Sequence, residues 1–159
     1  MGSRSKIELA YVSGFLDGDG SLMLQIKKRK DSKIGIRFMP TICFYQDSRH
    51  DKTLSWIRGL FAIGYLSKRN DGMTELRING FKQVKEIIES LLPFLRFKKV
   101  QAKALCEACA ILSKISFKKL NKRQLEKLVD LILVIQNENY ATKKKKNKKE
   151  LMKILGLTP

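Results

Sequence analysis

Two carboxylates stand on either side of a glycine near the start of the chain, in the string Asp17-Gly18-Asp19-Gly20. Carboxylate oxygens and an outward-turned glycine carbonyl are the hard ligands that Mg²⁺ or Ca²⁺ prefers. The same residue types also form ordinary turns, because glycine adopts backbone conformations that other residues avoid. The string therefore fits either a divalent metal site or a tight turn, and the elements around it must decide between them.

A helix is expected to deliver these carboxylates. Ser5 and Glu8 fit a capping box, and the helix that they open is expected to end at the first of the two carboxylates, where the glycines stop it. This helix is apolar nearly all round, so it must be buried on several sides. One of its stripes carries only small residues, Ala10, Ser13 and Gly14. The stripe fits a core helix packed on a sheet, but a helix paired with its own copy explains it better.

After the carboxylates, the hydrophobic period changes from the helical value of about 3.6 residues to two, which predicts β-hairpins. The first hairpin has its turn at residues 30–33, and the second joins strands at 65–69 and 73–79 through Asn70-Asp71-Gly72. Pro40 removes a ladder donor, so a bulge or a sheet edge is expected there. Both hairpins have one apolar face and one polar face.

Helical patterns separate and follow the hairpins, at about 52–62, 81–92, 99–114 and 122–137, with a short helix near the C-terminus. The predicted fold class is α+β, in the order αββαββα, with a four-stranded antiparallel sheet backed by helices and further C-terminal helices. We expect one main domain over residues 1–140 and a Lys-rich C-terminal segment with a short helix over residues 141–159.

The charge is strongly unbalanced, with 33 Lys and Arg against 15 Asp and Glu and a formal net charge of +18 on 159 residues. Residues 141–159 hold seven lysines against one glutamate, a net of +6, so the other +12 lies on the first 140 residues. An apolar fraction of 43% belongs to a folding chain. A folded domain this basic indicates a nucleic-acid partner, because phosphate contacts dominate such affinities.

The polar faces of the two hairpins are the natural place for that partner. They carry positive charge and few acidic residues, which favours DNA contact over a face that is charged only for solubility. The candidate DNA-binding residues are Gln25, Lys27, Arg29, Arg37, Thr41, Tyr45, Arg69, Glu75 and Arg77.

Other features set limits on function and location. No apolar run approaches the roughly 18 residues that span a bilayer, and no signal-peptide core is present, so we expect a soluble, intracellular protein. Three cysteines fit a reducing compartment. Cys106 and Cys109 form a C-x-x-C that could bind zinc, although core packing explains a helical pair better. His50 is the sole histidine, which leaves little for a histidine-based mechanism.

Two motifs resemble those of a known family. Residues 9–21, and above all 14–20, resemble the signature of the LAGLIDADG homing endonucleases, the single-motif, homodimeric, group I intron-encoded kind. Residues 93–101 are similar to the P-F-L-x-x-K-x-x-Q element of the same enzymes. The two motifs stand in the expected order, and the resemblance covers roughly residues 7–140. It implies a DNA endonuclease.

The resemblance also implies roles for particular residues. Asp19 and the carbonyl of Gly18 would hold the metal ion, Gln46 would orient water, and Lys98 would stabilise charge at the scissile phosphate. Asp17 is the less certain carboxylate and would instead cap the paired helices at the dimer interface. A further basic group would be Arg49 or His50, between which the resemblance does not choose.

A single copy of the signature implies a homodimer, in which Ala10, Ser13, Gly14 and Asp17 lie at the interface. The implied reaction is Mg²⁺-dependent hydrolysis of one phosphodiester in each strand of a long pseudo-palindromic double-stranded DNA site, leaving 3′ overhangs.

The resemblance also bears on cofactors, partners and location. Mn²⁺ or Ca²⁺ would fit the same sites, and neither a membrane nor a small-molecule substrate is expected. The protein would be located in an organelle or in a prokaryotic cytoplasm. The alternatives are a non-cleaving relative, such as an intron maturase or a regulator, and a structural RNA-binding protein.

Overall fold

The computed structural model describes residues 4–30, 35–140 and 143–157. They form an α+β fold in which the predicted elements all occur, with ends that differ from prediction by a few residues. Ile34 and most of the predicted turn at 30–33 lie outside the described residues. The helices and strands in chain order are α1 (Lys6–Asp19), β1 (Gly20–Lys28), β2 (Ile36–Asp47), α2 (Lys52–Phe61), β3 (Tyr65–Lys68), β4 (Met73–Asn79), α3 (Phe81–Leu91), α4 (Lys99–Lys114), α5 (Lys122–Glu138) and α6 (Lys148–Ile154).

The four strands form one antiparallel sheet in the order β1-β2-β4-β3, which confirms the predicted assembly. Register between β1 and β2 is continuous from Gly20 opposite Phe44 to Lys28 opposite Ile36. Pro40 is therefore paired with β1 on one side, without a bulge. On its other side it has no partner among the described strands, because the pairing of β2 with β4 covers only Thr41–Asp47. Of the two alternatives expected at Pro40, the sheet edge is confirmed, because an edge does not need the missing donor.

The helices cover one face of the sheet and leave the other face polar. The inner face of β1, β2 and β4 supplies fully buried side chains such as Leu22, Phe44 and Leu76. They pack with Val12 and Leu16 of α1 in a single core. Each such side chain contributes about 1.5–3 kcal/mol by its removal from water. No helix of the described part of the chain is both long and apolar enough to cross a membrane.

Local sequence signals set where the helices begin. Ser5 Oγ accepts a hydrogen bond from the Glu8 backbone N–H at 3.2 Å, and Glu8 Oε2 accepts one from the Ser5 N–H at 3.0 Å. This is the predicted capping box of α1. In the C-terminal segment, α6 docks on α5 through Leu151, which is 3% exposed. The backbone of Lys146 is also held by both atoms of the Gln136 amide.

The small stripe of α1 does not face outward as a unit, which corrects one prediction. Ser13 is fully buried, and its hydroxyl lies 2.7 Å from the Leu9 carbonyl and 3.1 Å from the Leu91 carbonyl of α3. Ser13 therefore serves the packing of α1 on α3 and is not available to a partner chain.

The exposed side of α1 is instead a mixed apolar surface that we call the open α1 face. Ile7 is 83% exposed and Tyr11 is 55% exposed. The ring of Tyr11 stands edge-on to Trp56 of α2, with centroids 5.6 Å apart. Contiguous exposed apolar surface of this kind marks interaction sites in soluble proteins. The residues of this face are Ile7, Ala10, Tyr11 and Gly14.

Candidate metal and nucleic-acid site

A cleft of about 610 Å³ opens where α1 meets β1. Asp19, the last residue of α1, is exposed at this cleft, and β1 begins at once with Gly20. A Cβ on Gly20 would lie 2.5 Å from Leu16 Cδ1 and 2.9 Å from the Leu16 backbone oxygen. Only glycine lets the strand leave the helix so closely. The close turn therefore places Asp19 at the cleft.

Asp17 is neither a free carboxylate nor an interface residue, which corrects both roles considered for it. It is 8% exposed, and its two oxygens accept hydrogen bonds from the backbone N–H groups of Arg96, Phe97 and Lys98 at 2.7, 3.2 and 3.0 Å. These three donors belong to the segment that leads directly into α4. Asp17 therefore caps a segment of its own chain.

Lys98 is brought to Asp19 by the same contact. Its Nζ donates to the Asp17 carbonyl oxygen at 2.6 Å, and the residue is 7% exposed. Burial lowers the pKa of the Lys98 ammonium, while the nearby charges of Asp17 and Asp19 oppose that change. The two sequence motifs, about eighty residues apart in the chain, thus meet at one point of the structure through Asp17.

The other predicted catalytic groups are farther away. Gln46 lies opposite Thr74 in the sheet, its Oε1 accepts from the Asp47 N–H at 2.8 Å, and it does not line the cleft. Arg49 is exposed and bonds to Asp47 at 2.8 Å, which holds the pKa of the Asp47 carboxyl far below its usual range. Neither Arg49 nor His50 lines the cleft.

Several residues of the cleft wall were missed by the sequence reasoning, among them Gln101, Glu138 and Asn139. The amide of Asn139 donates to the Leu22 carbonyl of β1 at 3.0 Å and accepts from Gln101 Nε2 at 3.4 Å. The P-F-L-x-x-K-x-x-Q element contains Gln101, so a signal for it existed. Glu138 and Asn139 carry no local signal, because only the packing of α5 brings its C-terminal end to this cleft.

One chain supplies some of the oxygen ligands that a divalent metal site needs. Asp19 offers a carboxylate and Gly18 a backbone carbonyl, whereas the Asp17 carboxylate is already occupied by three N–H groups. Across residues 4–30, 35–140 and 143–157, no cluster of three or more His, Cys, Asp or Glu is placed to hold a metal ion. A bound Mg²⁺ usually keeps several waters and takes one or two carboxylates together with substrate phosphates, so water and phosphate oxygens would complete such a site.

The C-x-x-C pair is explained by packing. Cys109 is fully buried and Cys106 is half-buried in the α3–α4 contact. Burial raises the pKa of Cys106 to about 11 and that of Cys109 to about 12. Structural zinc takes four ligands, and among the described residues neither cysteine belongs to a cluster of three or more His, Cys, Asp or Glu, so the structure favours the core-packing alternative.

The outer face of the sheet carries most of the predicted DNA-binding side chains. Lys27 lies opposite Arg37 in the β1–β2 ladder, and both are at the end far from the cleft. Near the cleft, Arg77 bonds to Glu75 at 3.2 Å on the same strand. Arg69 bonds to Asp71 at 2.7 Å. The face is therefore basic along its length, with two arginines already oriented by carboxylates.

Thr41 is a correction within this set. It points to the outer side, but it has no exposed surface, and its hydroxyl donates to Asn79 Oδ1 at 2.7 Å. The alternation of side chains along a strand predicts on which face of the sheet a residue lies. It does not predict whether side chains of neighbouring strands bury that residue. Thr41 is thus closed to DNA in this structure.

Comparison with known proteins places these features in a family. The model of the LAGLIDADG endonuclease family matches residues 12–109. The DNA endonuclease I-CvuI of Chlorella vulgaris is 28% identical over 157 residues, which cover 95% of this chain and 93% of that protein. The DNA endonuclease I-CreI of Chlamydomonas reinhardtii is 29% identical over 94 residues, covering 59% of this chain and 57% of that protein. A crystal structure of I-CvuI with its target has the same fold, with a TM-score of 0.79 at 24% identity, covering 95% of this chain and 94% of that one.

Proposed function

The chain belongs to the LAGLIDADG endonuclease family, and from this premise we propose that it is a site-specific homing endonuclease that binds double-stranded DNA as a homodimer and hydrolyses one phosphodiester in each strand. The observation that carries the proposal is the meeting of Asp19 and Lys98 at one cleft through the Asp17 cap. A carboxylate beside a lysine, at the end of a basic sheet face, fits a metal-dependent attack on a phosphodiester.

The dimer is supported by two independent features of the chain. It carries a single copy of the signature, and the open α1 face is apolar and exposed at Ile7 and Tyr11. Two copies related by a two-fold axis along this face would bring two Asp19 side chains together and cover both apolar surfaces at once. The exposed part of the predicted stripe, Ala10 and Gly14, lies on this face.

Replacing Gly14 by glutamate is expected to separate the dimer. Gly14 has open space around it within the chain, so Gly14→Glu leaves the fold intact but sets two like charges face to face at the two-fold axis. Sedimentation should give a mass near 18.3 kDa for this variant and near twice 18.3 kDa for the parent chain. Gly59→Glu, at another helical glycine with open space around it, is the matched control and should stay dimeric. A parent chain that stays near 18.3 kDa without DNA and binds each duplex as a single chain would contradict the dimer.

DNA recognition is supported by the length and charge of the sheet. The 12 residues of β2 span about 40 Å at about 3.3 Å per residue, which exceeds one turn of B-DNA. Two copies would then cover a pseudo-palindromic site of about 20 base pairs. The residues proposed to reach bases or phosphates are Gln25, Lys27, Arg29, Arg37, Arg69, Glu75 and Arg77.

The reaction is assigned to the cleft. Asp19 and the Gly18 carbonyl would hold Mg²⁺, and Lys98 would stabilise the negative charge that develops on the scissile phosphate. A bound Mg²⁺ would polarise phosphate oxygens and lower the pKa of a water ligand. Divalent cations are supported by two I-CvuI complexes, one obtained with Ca²⁺ and one with Mg²⁺ and uncleaved DNA. We further propose that the cuts leave 3′ overhangs and that Gln46 approaches the reacting water only once DNA is bound.

The direct test is cleavage of DNA that spans the insertion site of the intron encoding this chain. Double-strand cleavage in the presence of Mg²⁺, and none with EDTA, is the expected result. Mapping the two cut positions by primer extension decides the overhang. Tight binding without cleavage at any divalent metal would instead favour a maturase or a regulator.

A further inference from the structure

Two hydroxyl groups pair at the edge of the cleft, and the proposed function gives neither of them a role. The Tyr45 hydroxyl and the Ser21 hydroxyl lie 3.0 Å apart, and both residues line the cleft. Gly20 faces Phe44 across the sheet, so Tyr45 stands beside the junction of α1 and β1. Its hydroxyl reaches across to Ser21 of β1, and Ser21 follows Asp19 by two residues in the chain. We call these two groups the hydroxyl pair.

The protons of the hydroxyl pair limit what it can bind. Two hydroxyls carry two protons, and one proton is used in the bond between them. If Ser21 donates to Tyr45, the serine proton is used within the pair and the tyrosine proton is the one left over. If Tyr45 donates to Ser21, the serine proton is left for an acceptor in the cleft. An anionic oxygen is a strong acceptor, so an anion bound beside Ser21 selects the second arrangement.

The anion that the proposed function brings to this place is a DNA phosphate. Lys98 and the basic sheet face attract it, and its oxygens accept charge-assisted hydrogen bonds. We propose that Ser21 donates its hydroxyl proton to a phosphate oxygen of bound DNA, and that Tyr45 is a positioning residue that holds Ser21 in this orientation. This inference rests on the proposed function and deepens it. It also changes the role of Tyr45, which the sequence analysis placed among the candidate DNA-binding residues.

A kinetic comparison of four proteins tests the pairing. Ser21→Ala, Tyr45→Phe and the double variant are compared with the parent chain in single-turnover cleavage with Mg²⁺ and in DNA binding with Ca²⁺. Each single variant should cut about tenfold more slowly, the loss of one charge-assisted hydrogen bond. The double variant should be no slower than Ser21→Ala, because Tyr45 acts only through Ser21. Ser90→Ala removes a hydroxyl that bonds to Ile87 O on α3, and this control should cut at the parent rate.

Binding to modified DNA provides a readout that does not need cleavage. Methylphosphonate is placed at each central phosphate in turn, which removes the negative charge of that phosphate. The parent chain should lose affinity at one position, and both single variants should lose distinctly less at that same position.

The outcomes separate the inference from the function on which it rests. If the rate losses of the two single variants multiply in the double variant, the positioning role is wrong. It is also wrong if the Tyr45→Phe protein changes its base preference but cuts at the parent rate. A parent chain that binds DNA without cutting would contradict the proposed endonuclease, and the methylphosphonate comparison would still decide the inference. A chain that neither binds nor cuts DNA would overturn both.

Discussion

Asp19→Asn is expected to abolish cleavage while leaving DNA binding almost unchanged. Of the two carboxylates of α1 that line the cleft, Asp17 already accepts three backbone hydrogen bonds. The carboxylate of Asp19 is therefore the one that can bind a metal ion. Asparagine keeps the size of the side chain but removes the charge that holds a divalent cation. Losing several kcal/mol of transition-state stabilisation lowers the rate by about 10³-fold or more.

The measurement is single-turnover cleavage with Mg²⁺ beside DNA binding with Ca²⁺. Asp130→Asn is the matched control, because Asp130 is an exposed carboxylate that pairs with Lys148 of α6 at 3.1 Å, away from the cleft, and it should cut at the parent rate. An Asp19→Asn protein that retains a tenth or more of the parent rate would remove Asp19 from the metal site. A variant that loses DNA binding altogether would show that Asp19 acts in the fold or in the dimer instead.

Asp17→Asn is expected to weaken the fold and cleavage together. The Asp17 carboxylate is buried and accepts three backbone hydrogen bonds, which an asparagine can satisfy only in part because its amide nitrogen is itself a donor. One of the three donors is buried and two are partly buried. A backbone donor left without an acceptor there costs about 1–3 kcal/mol, so we expect the free energy of unfolding to fall by about 2–4 kcal/mol. For a chain of this length the midpoint of thermal unfolding should drop by roughly 5–15 °C.

Cleavage should fall as well, because the same residue fixes the start of α4 and, through its carbonyl oxygen, Lys98 Nζ. The rate is to be measured well below the unfolding midpoint, so that loss of structure does not mimic loss of chemistry. Asp47→Asn is the control: this carboxylate also accepts a backbone N–H, from Arg49 at 2.9 Å, but it does so at an exposed site. Its effect on unfolding should be much smaller. Equal unfolding midpoints for Asp17→Asn and the parent chain would contradict the capping role.

Much of the fold could be predicted because its signals are local. The capping box at Ser5 and Glu8 and the change of hydrophobic period after Gly20 each depend on residues within a few positions of one another. The sheet edge at Pro40 follows from the chemistry of one residue. The family resemblance added the pairing of Asp19 with Lys98, which no local pattern contains.

The site could be predicted only in part, since several of its features depend on packing between distant segments. Spacing showed that Ala10, Ser13 and Gly14 share a side of α1, but the position of α3 decides that Ser13 is buried against Leu91. In the same way, Asn79 of a neighbouring strand closes Thr41. The docking of α5 brings Asn139 to β1 across more than a hundred residues of chain.

The sequence by itself determined which residues are able to do chemistry and which elements carry them, because side-chain type and periodicity are properties of the chain. The tertiary structure alone decided which of those groups are free to act. Asp17 and Asp19 show the difference most clearly, since they are two equivalent carboxylates in one short string. Three N–H groups from residues 96–98 occupy the first and leave the second open, and only the fold brings those donors there.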